Sequence, residues 1–435
     1  MECYVDGISH TGEGVARIDG KATFIPFAIP GETVTIKIIE AKKNFQRARL
    51  EEVITPSPDR IEAPCPYYFR CGGCSYQHIS YARQLEFKRQ VVKESLKRIG
   101  GIDIEVNQVI GMENPWRYRN KVEWHTGKES GQPTMGYYIN ESRVLIGIDS
   151  CLLISQEMQD YSRYIKDHLE ELRVPEDCEV ILRQSSRNRE MMLIFKGTGC
   201  GEIDFAKMLN YHEVASIYSI DGGTPRIHFG DQRLTDAIFD LKYEFSPQAF
   251  FQINHTQTEK MVEIIKEFAQ LRNSDTVLDA YCGTGSIALA LAGSVRRVVG
   301  VESLKAAIKD AKINVFKNNI TNCKFIKGAC EDIIPDLEEL FDVVVLDPPR
   351  TGCKAELIQA IIKKSPRCII YVSCNPATLA RDLAIFNNAA YTVDQVQPID
   401  MFPQTSQVEC CVLLYRKDYI GEKGKKVTVE VGMNK

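Results

Sequence analysis

The chain has 435 residues, of which 44% are hydrophobic and 26% charged, a globular composition long enough for two or three domains. No stretch approaches the ~20 consecutive apolar residues of a membrane helix, and the polar, Gly-rich start is not a signal peptide, so a cytoplasmic protein is expected. A formal net charge of -4 does not advertise a nucleic-acid binder, and 15 cysteines, an odd number, argue against a disulfide framework.

Residues 2–54 predict five short strands. Stretches 15–18, 22–27 and 33–39 are β-rich, and Asp19-Gly20 and Pro30-Gly31 supply turns between them. Five strands in so short a span suggest an OB-like barrel, a fold that binds single-stranded RNA through basic and aromatic side chains. Lys42, Lys43, Phe45, Arg47 and Arg49 provide that mixture. Thr55-Pro56-Ser57-Pro58 then reads as a linker. The middle region, to about residue 244, alternates short strands and helices. It opens on Cys65-Pro66-Tyr67-Tyr68-Phe69-Arg70-Cys71-Gly72-Gly73-Cys74. Three thiolates at this spacing can hold one metal centre if a fourth joins them, and Cys151 is the nearest later cysteine. Spacing alone leaves zinc and a [4Fe–4S] cluster both open. A basic helix is predicted over 81–98. It and the segments 42–49 and 117–121 are locally basic, and each alone reads as solvated surface.

From residue 245 the pattern becomes strand–helix alternation, the signature of a parallel, doubly wound sheet. Strands are predicted at 276–280, 297–301, 324–327, 342–346 and 368–372, with a helix at 305–317. Strands near 391–396 and 408–415 complete the sheet. Leu278-Asp279-Ala280-Tyr281-Cys282-Gly283-Thr284-Gly285-Ser286 leaves the first strand and opens a helix, with glycines that let backbone approach a ligand. Glu302 ends the next strand, where such folds place a carboxylate for a ribose diol. The dinucleotide fingerprint is incomplete, because Ala288 stands at its last glycine. S-adenosylmethionine therefore fits better than NAD. Asp347, in Leu346-Asp347-Pro348-Pro349-Arg350, ends the fourth strand in a loop stiffened by two prolines. It is a candidate for contacting cofactor or base.

Val372-Ser373-Cys374-Asn375-Pro376 ends the fifth strand, so Cys374 falls on the same edge as Asp347 and Tyr281. Methyl transfer to nitrogen or oxygen needs only a base. Carbon 5 of a pyrimidine is a poor nucleophile until a thiolate adds to carbon 6, after which a base must remove the carbon 5 proton. Cys374 suits the thiolate, and Glu409, at the start of the last strand, is the candidate base.

With these pieces in place the chain resembles the RNA uracil-C5 methyltransferases, and among them the iron–sulfur branch acting on 23S ribosomal RNA. The resemblance covers nearly the whole chain. It implies an α/β fold class: a class I, Rossmann-like S-adenosylmethionine methyltransferase domain over 245–435, an N-terminal OB-like TRAM barrel over 1–56, and a central α+β RNA-binding domain over 57–244. It further implies that the 81–98 helix packs on the catalytic domain. Cys65, Cys71, Cys74 and Cys151 match the family's [4Fe–4S] ligands, which implies iron rather than zinc. Ser246-Pro247-Gln248-Ala249-Phe250-Phe251-Gln252-Ile253-Asn254 matches the motif before the first Rossmann helix, in which Gln252 contacts the cofactor and Phe250 lies near the target base. Tyr281, Glu302 and Asp347 match cofactor-binding positions, Cys374 the nucleophile and Glu409 the base. Tyr281 stands where Phe is frequent, and Ser286 replaces an Asn common in some members. The implied partner is RNA presenting a single-stranded or loop uridine, bound by a monomer. RNA cytosine-C5 methyltransferases carry a Pro-Cys after the fourth strand, which is missing at Asp347-Pro348-Pro349-Arg350. The transfer-RNA uracil-C5 branch resembles the chain without its cysteine cluster or barrel. A non-catalytic RNA-binding iron–sulfur protein would not need both Cys374 and Glu409.

Overall fold

Side chains alternate between inside and outside along the first 55 residues, and the inward set closes a small barrel. Val5, Ala16, Ile18, Ile25, Val34, Ile36 and Ala48 form its core. The computed structural model describes residues 1–139, 142–210 and 214–419. Within it the barrel is one six-stranded sheet, built from Glu2–Tyr4, Gly7–Ile8, Gly14–Ile18, Lys21–Ile25, Thr33–Ala41 and Phe45–Thr55. Five strands were expected. The extra one arises because the N-terminal stretch is broken at Val5-Asp6 into two short pieces that pair with different neighbours.

The middle region is a seven-stranded sheet in which the α-helix Gln156–Asp167 covers one face. Met158, Tyr161 and Ile165 of that helix bury themselves with Trp124, Leu182, Leu193 and Phe195 of the sheet. Ser155 starts the helix by accepting from the Met158 amide at 3.2 Å. The region is thus richer in strand than the expected alternation. The hairpin Leu234–Ile238 and Leu241–Phe245 leaves this sheet and packs on the C-terminal unit. There Tyr243 donates to the Ser286 carbonyl at 3.1 Å, and the Glu244 amide donates to Asn314 at 2.7 Å. The contacts of the C-terminal unit therefore begin before residue 245.

The C-terminal sheet has seven strands, Thr276–Ala280, Arg297–Glu302, Cys323–Lys327, Val343–Leu346, Cys368–Ser373, Tyr391–Ile399 and Glu409–Arg416. Across the sheet they run third, second, first, fourth, fifth, seventh, sixth. The first five are parallel, and the seventh is antiparallel to both neighbours. Helices on both faces explain why the central strands are apolar on both sides. Residues 420–435, assigned on sequence to this domain, lie outside the described residues.

Helix Tyr81–Arg98 turns its apolar stripe to this unit, with Val92 and Leu96 in one core with Leu379, Leu383 and Val396. Lys88 is fully buried there, 2.5 Å from Asp400. The helix is not an open basic face. Arg83 pairs with Asp59, Arg89 with Glu105, Lys97 with Asp103 and Arg98 with Glu94. Of the barrel's cations, Lys42 pairs with Glu40 and Arg49 with Glu51. No helix among the described residues is long and apolar enough to cross a membrane.

Candidate active site

The parallel strands end on one edge, and most of the sequence-predicted residues meet there. After Ala280 the chain makes a tight turn in which Tyr281, Gly283 and Gly285 all have positive φ, 63°, 54° and 84°. At Gly285 a Cβ would meet Leu289 at 2.9 Å and Phe325 at 3.0 Å, so a glycine is needed for space as well as for conformation. Helix Ser286–Ala292 follows. A pocket opens over this turn, lined by Phe250, Gln252, Thr258, Tyr281, Thr284 and Asp347 among others. The pocket thus unites the expected Gln252, Tyr281 and Asp347 with Phe250, a residue that is 61% exposed.

Glu302 lies beside the pocket. One of its oxygens accepts from the Gly283 amide at 3.3 Å and the other from the Leu304 amide at 2.7 Å. Its visible task is to brace the glycine turn. The Tyr281 hydroxyl donates to Glu331 at 2.9 Å. Glu331 was missed on sequence, although an acid just past the third strand, on the ligand edge, is the signal that could have found it.

Cys374 and Glu409 come together across the sheet. Ser373 pairs with Cys410, so one further step in that register sets Cys374 opposite Glu409. Cys374 is half-buried, and burial, then the negative charge of Glu409, push its thiol up to about 11. Arg350 opposes this with its charge and a hydrogen bond to the thiol. The Arg350 carbonyl is tied by Asn375 at 3.0 Å and Thr378 at 3.1 Å, which fixes the loop beside Cys374. Burial, then Asp347, hold the Glu409 carboxyl well above the usual range, while Arg350 pulls it down. Burial pushes Asp347 up to about 7. Buried Asp279 is likewise raised by burial and by Asp347, and one of its oxygens has no hydrogen-bond partner. Arg350, quoted within its motif but given no role on sequence, is thus a cation acting on both Cys374 and Glu409.

The other cysteines lie elsewhere. Cys65, Cys71, Cys74 and Cys151 line one cavity, walled by Tyr68, Tyr137, Ile148 and Ile154. Among the described residues no group of three or more His, Cys, Asp or Glu side chains is placed to hold a metal ion. Burial raises all four thiols, Cys71 to about 11 and Cys74 to about 12, and charge on one raises others. Four thiolates in this cavity would repel one another unless a cationic centre joined them. Arg119 also lines the cavity, with its buried Nε unpartnered.

A seven-stranded sheet in this order, with its cofactor-type turn and a thiol–carboxylate pair on the ligand edge, defines a methyltransferase-type α/β enzyme. The family profile described as tRNA (Uracil-5-)-methyltransferase matches residues 228–417, and the TRAM domain profile matches residues 1–50. An uncharacterized RNA methyltransferase of Clostridium tetani is 38% identical, over 97% of each chain. Another, from Listeria monocytogenes, is 38% identical over 95% of this chain and 97% of its own. The crystal structure of Pyrococcus abyssi tRNA (uracil-54, C5)-methyltransferase, in complex with S-adenosyl-L-homocysteine, matches with a TM-score of 0.77 and 27% identity, covering 95% of this chain and 100% of that one. The chain belongs to the RNA uracil-C5 methyltransferase family, enzymes that use S-adenosylmethionine.

Proposed function

We propose that the protein methylates carbon 5 of a specific uridine in 23S ribosomal RNA, with Cys374 as nucleophile and Glu409 as base. The observation that carries this is the opposition of Cys374 and Glu409 beside a pocket that holds Gln252, Tyr281 and Asp347. S-adenosylmethionine, when bound there, supplies an electrophilic methyl group on a sulfonium. The Cys374 thiolate adds to carbon 6, the carbon 5 enolate takes the methyl, and the Glu409 carboxylate removes the carbon 5 proton. Those electrons restore the 5,6 double bond and expel the thiolate, so the enzyme is regenerated with one proton to release. Arg350 favours the charged form of both groups. Gln252 and Tyr281 hold the cofactor with Glu302 at its ribose, and exposed Phe250 stacks near the target base.

The proposal extends to a [4Fe–4S] cluster held by Cys65, Cys71, Cys74 and Cys151, a reading supported by their meeting in one cavity. No step above needs an electron, so its role is to shape the fold and position RNA. A transfer-RNA uridine is the second reading, favoured by the full-length match to the Pyrococcus enzyme. The two are separated by mapping 5-methyluridine in ribosomal and transfer RNA from a deletion strain. The mechanism is tested with RNA carrying 5-fluorouridine, which has no carbon 5 proton to lose. Wild-type protein plus cofactor should give a denaturation-resistant adduct and Cys374→Ala should give none. An adduct with Cys374→Ala would sink the nucleophile assignment.

A further inference from the structure

The loop 400–408 carries the chain into Glu409, and its partners lie mostly outside the catalytic sheet. The Ser75 and Tyr76 amides, directly after Cys74, both donate to the Gln404 carbonyl at 3.0 Å. The Ser406 amide donates to the Ser75 hydroxyl at 2.8 Å. Gln84, on helix Tyr81–Arg98, grips Gln404 twice: it accepts from the Gln404 amide at 3.2 Å and donates to its side-chain oxygen at 3.0 Å. Gln84 is itself fixed by the Tyr76 and Ile79 carbonyls, at 3.1 and 2.9 Å. Gln404 sits at φ 67°, a left-handed conformation that a non-glycine residue keeps only where neighbours over-determine it. These neighbours do so. Cys374 is held differently, by Ser373, Asn375 and Arg350 within the catalytic unit.

We propose that Ser75 and Gln84 are positioning residues for Glu409: the segment leaving the cysteine cavity and the helix after it set the carboxylate over carbon 5, while the nucleophile is placed independently. The proposal rests on the roles given above to Cys374 and Glu409. It makes the cysteine-bound segment a support for the elimination half of the reaction only. Loosening the loop should therefore slow proton removal and leave thiol addition and methyl transfer in place.

The test uses the full-length protein and bulk RNA, labelled with [5-³H]uridine, from a strain lacking the gene, together with ¹⁴C-methyl cofactor. Tritium release reports proton removal, ¹⁴C reports methyl transfer, and a denaturing gel reports the protein–RNA adduct. In Ser75→Ala and Gln84→Ala, tritium release should fall about tenfold, within the range a misplaced general base costs, while ¹⁴C enters an adduct that accumulates as it does in Glu409→Gln. Ser75→Thr, which restores the hydroxyl, should recover release. A proportional fall of both labels with no adduct would overturn the proposal and leave the contacts merely structural. If Glu409→Gln accumulates adduct and neither loop variant does, the bracing is wrong and the base assignment stands. If Glu409→Gln itself accumulates none, the base assignment fails. Should Gln84→Ala not fold, Ser75→Ala carries the same test.

Discussion

Replacing Lys88 with methionine should damage the joint between helix Tyr81–Arg98 and the catalytic unit. Lys88 and Asp400 have fully buried side chains 2.5 Å apart. Lys88 also donates to the Phe402 carbonyl at 3.1 Å, and Asp400 accepts from Tyr81 at 2.7 Å. Burial pulls the Lys88 ammonium below its ordinary range, and only Asp400 holds it up. Methionine keeps the volume but leaves a buried carboxylate with one neutral donor, which costs about 3–5 kcal/mol. Guanidinium unfolding followed by circular dichroism at pH 7.5 measures the loss. Adding Asp400→Leu should return most of the loss, since a buried pair replaced by apolar groups is roughly neutral. A single-variant cost below about 1 kcal/mol, or a double variant no better than the sum of the singles, would refute the argument.

Three further outcomes follow from the site. Because Cys374 is pushed up to about 11, kcat/KM should rise about tenfold per pH unit between pH 7 and 9 as thiolate forms; a flat profile would contradict it. Glu409→Gln should abolish turnover yet raise the melting temperature at pH 8. The wild-type carboxyl is held above its unfolded value by burial, so its contribution is present below about pH 4.5 and lost as pH rises, and the gain should vanish at pH 4. Under the proposed [4Fe–4S] cluster, Cys151→Ser should drop bound iron from about four per chain to below one, by elemental analysis after anaerobic purification; unchanged iron would remove Cys151 from the proposed ligands.

Much of the catalytic sheet was legible because its strands are buried on both faces and read as short apolar runs. Thr276–Ala280 has the bounds expected, and helix Tyr81–Arg98 has the ends expected. The helix's destination was not visible in its composition. A buried lysine and a solvated one look alike in sequence, and only the resemblance pointed toward the catalytic unit. The packing of the hairpin Leu234–Phe245 is not visible in its alternation, which suits either sheet; in the structure Tyr243 reaches Ser286 of the C-terminal unit. At the site, local motifs delivered Gln252, Tyr281 and Asp347 to one pocket. Relations between motifs were missed. Arg350 acts on Cys374 and Glu409 from a different strand end, and Glu331 meets Tyr281 across the sheet edge. No periodicity records such contacts.

The acids at this edge are more numerous than its cations. Asp279, Asp347 and Glu409 are all raised, Asp347 raises the other two, and Arg350 is the cation that acts on Glu409. Such a site favours a positively charged ligand, since a cation beside Asp347 lowers every carboxyl coupled to it. Under the proposed reaction this has a direction in time. With the sulfonium present, Glu409 is drawn toward the carboxylate a base must be. Once the methyl has left, that charge is gone and the carboxylate's affinity for a proton rises, at the step that requires it to take one. The consequence is measurable without turnover. Binding of S-adenosylmethionine to the free enzyme near pH 7 should release more protons than binding of S-adenosylhomocysteine, the difference approaching about one proton if a single carboxyl is switched. Calorimetry in two buffers of different ionisation enthalpy reads that number. Equal release by the two ligands would show that the acids are indifferent to the sulfonium, and Glu409 would need another source of activation.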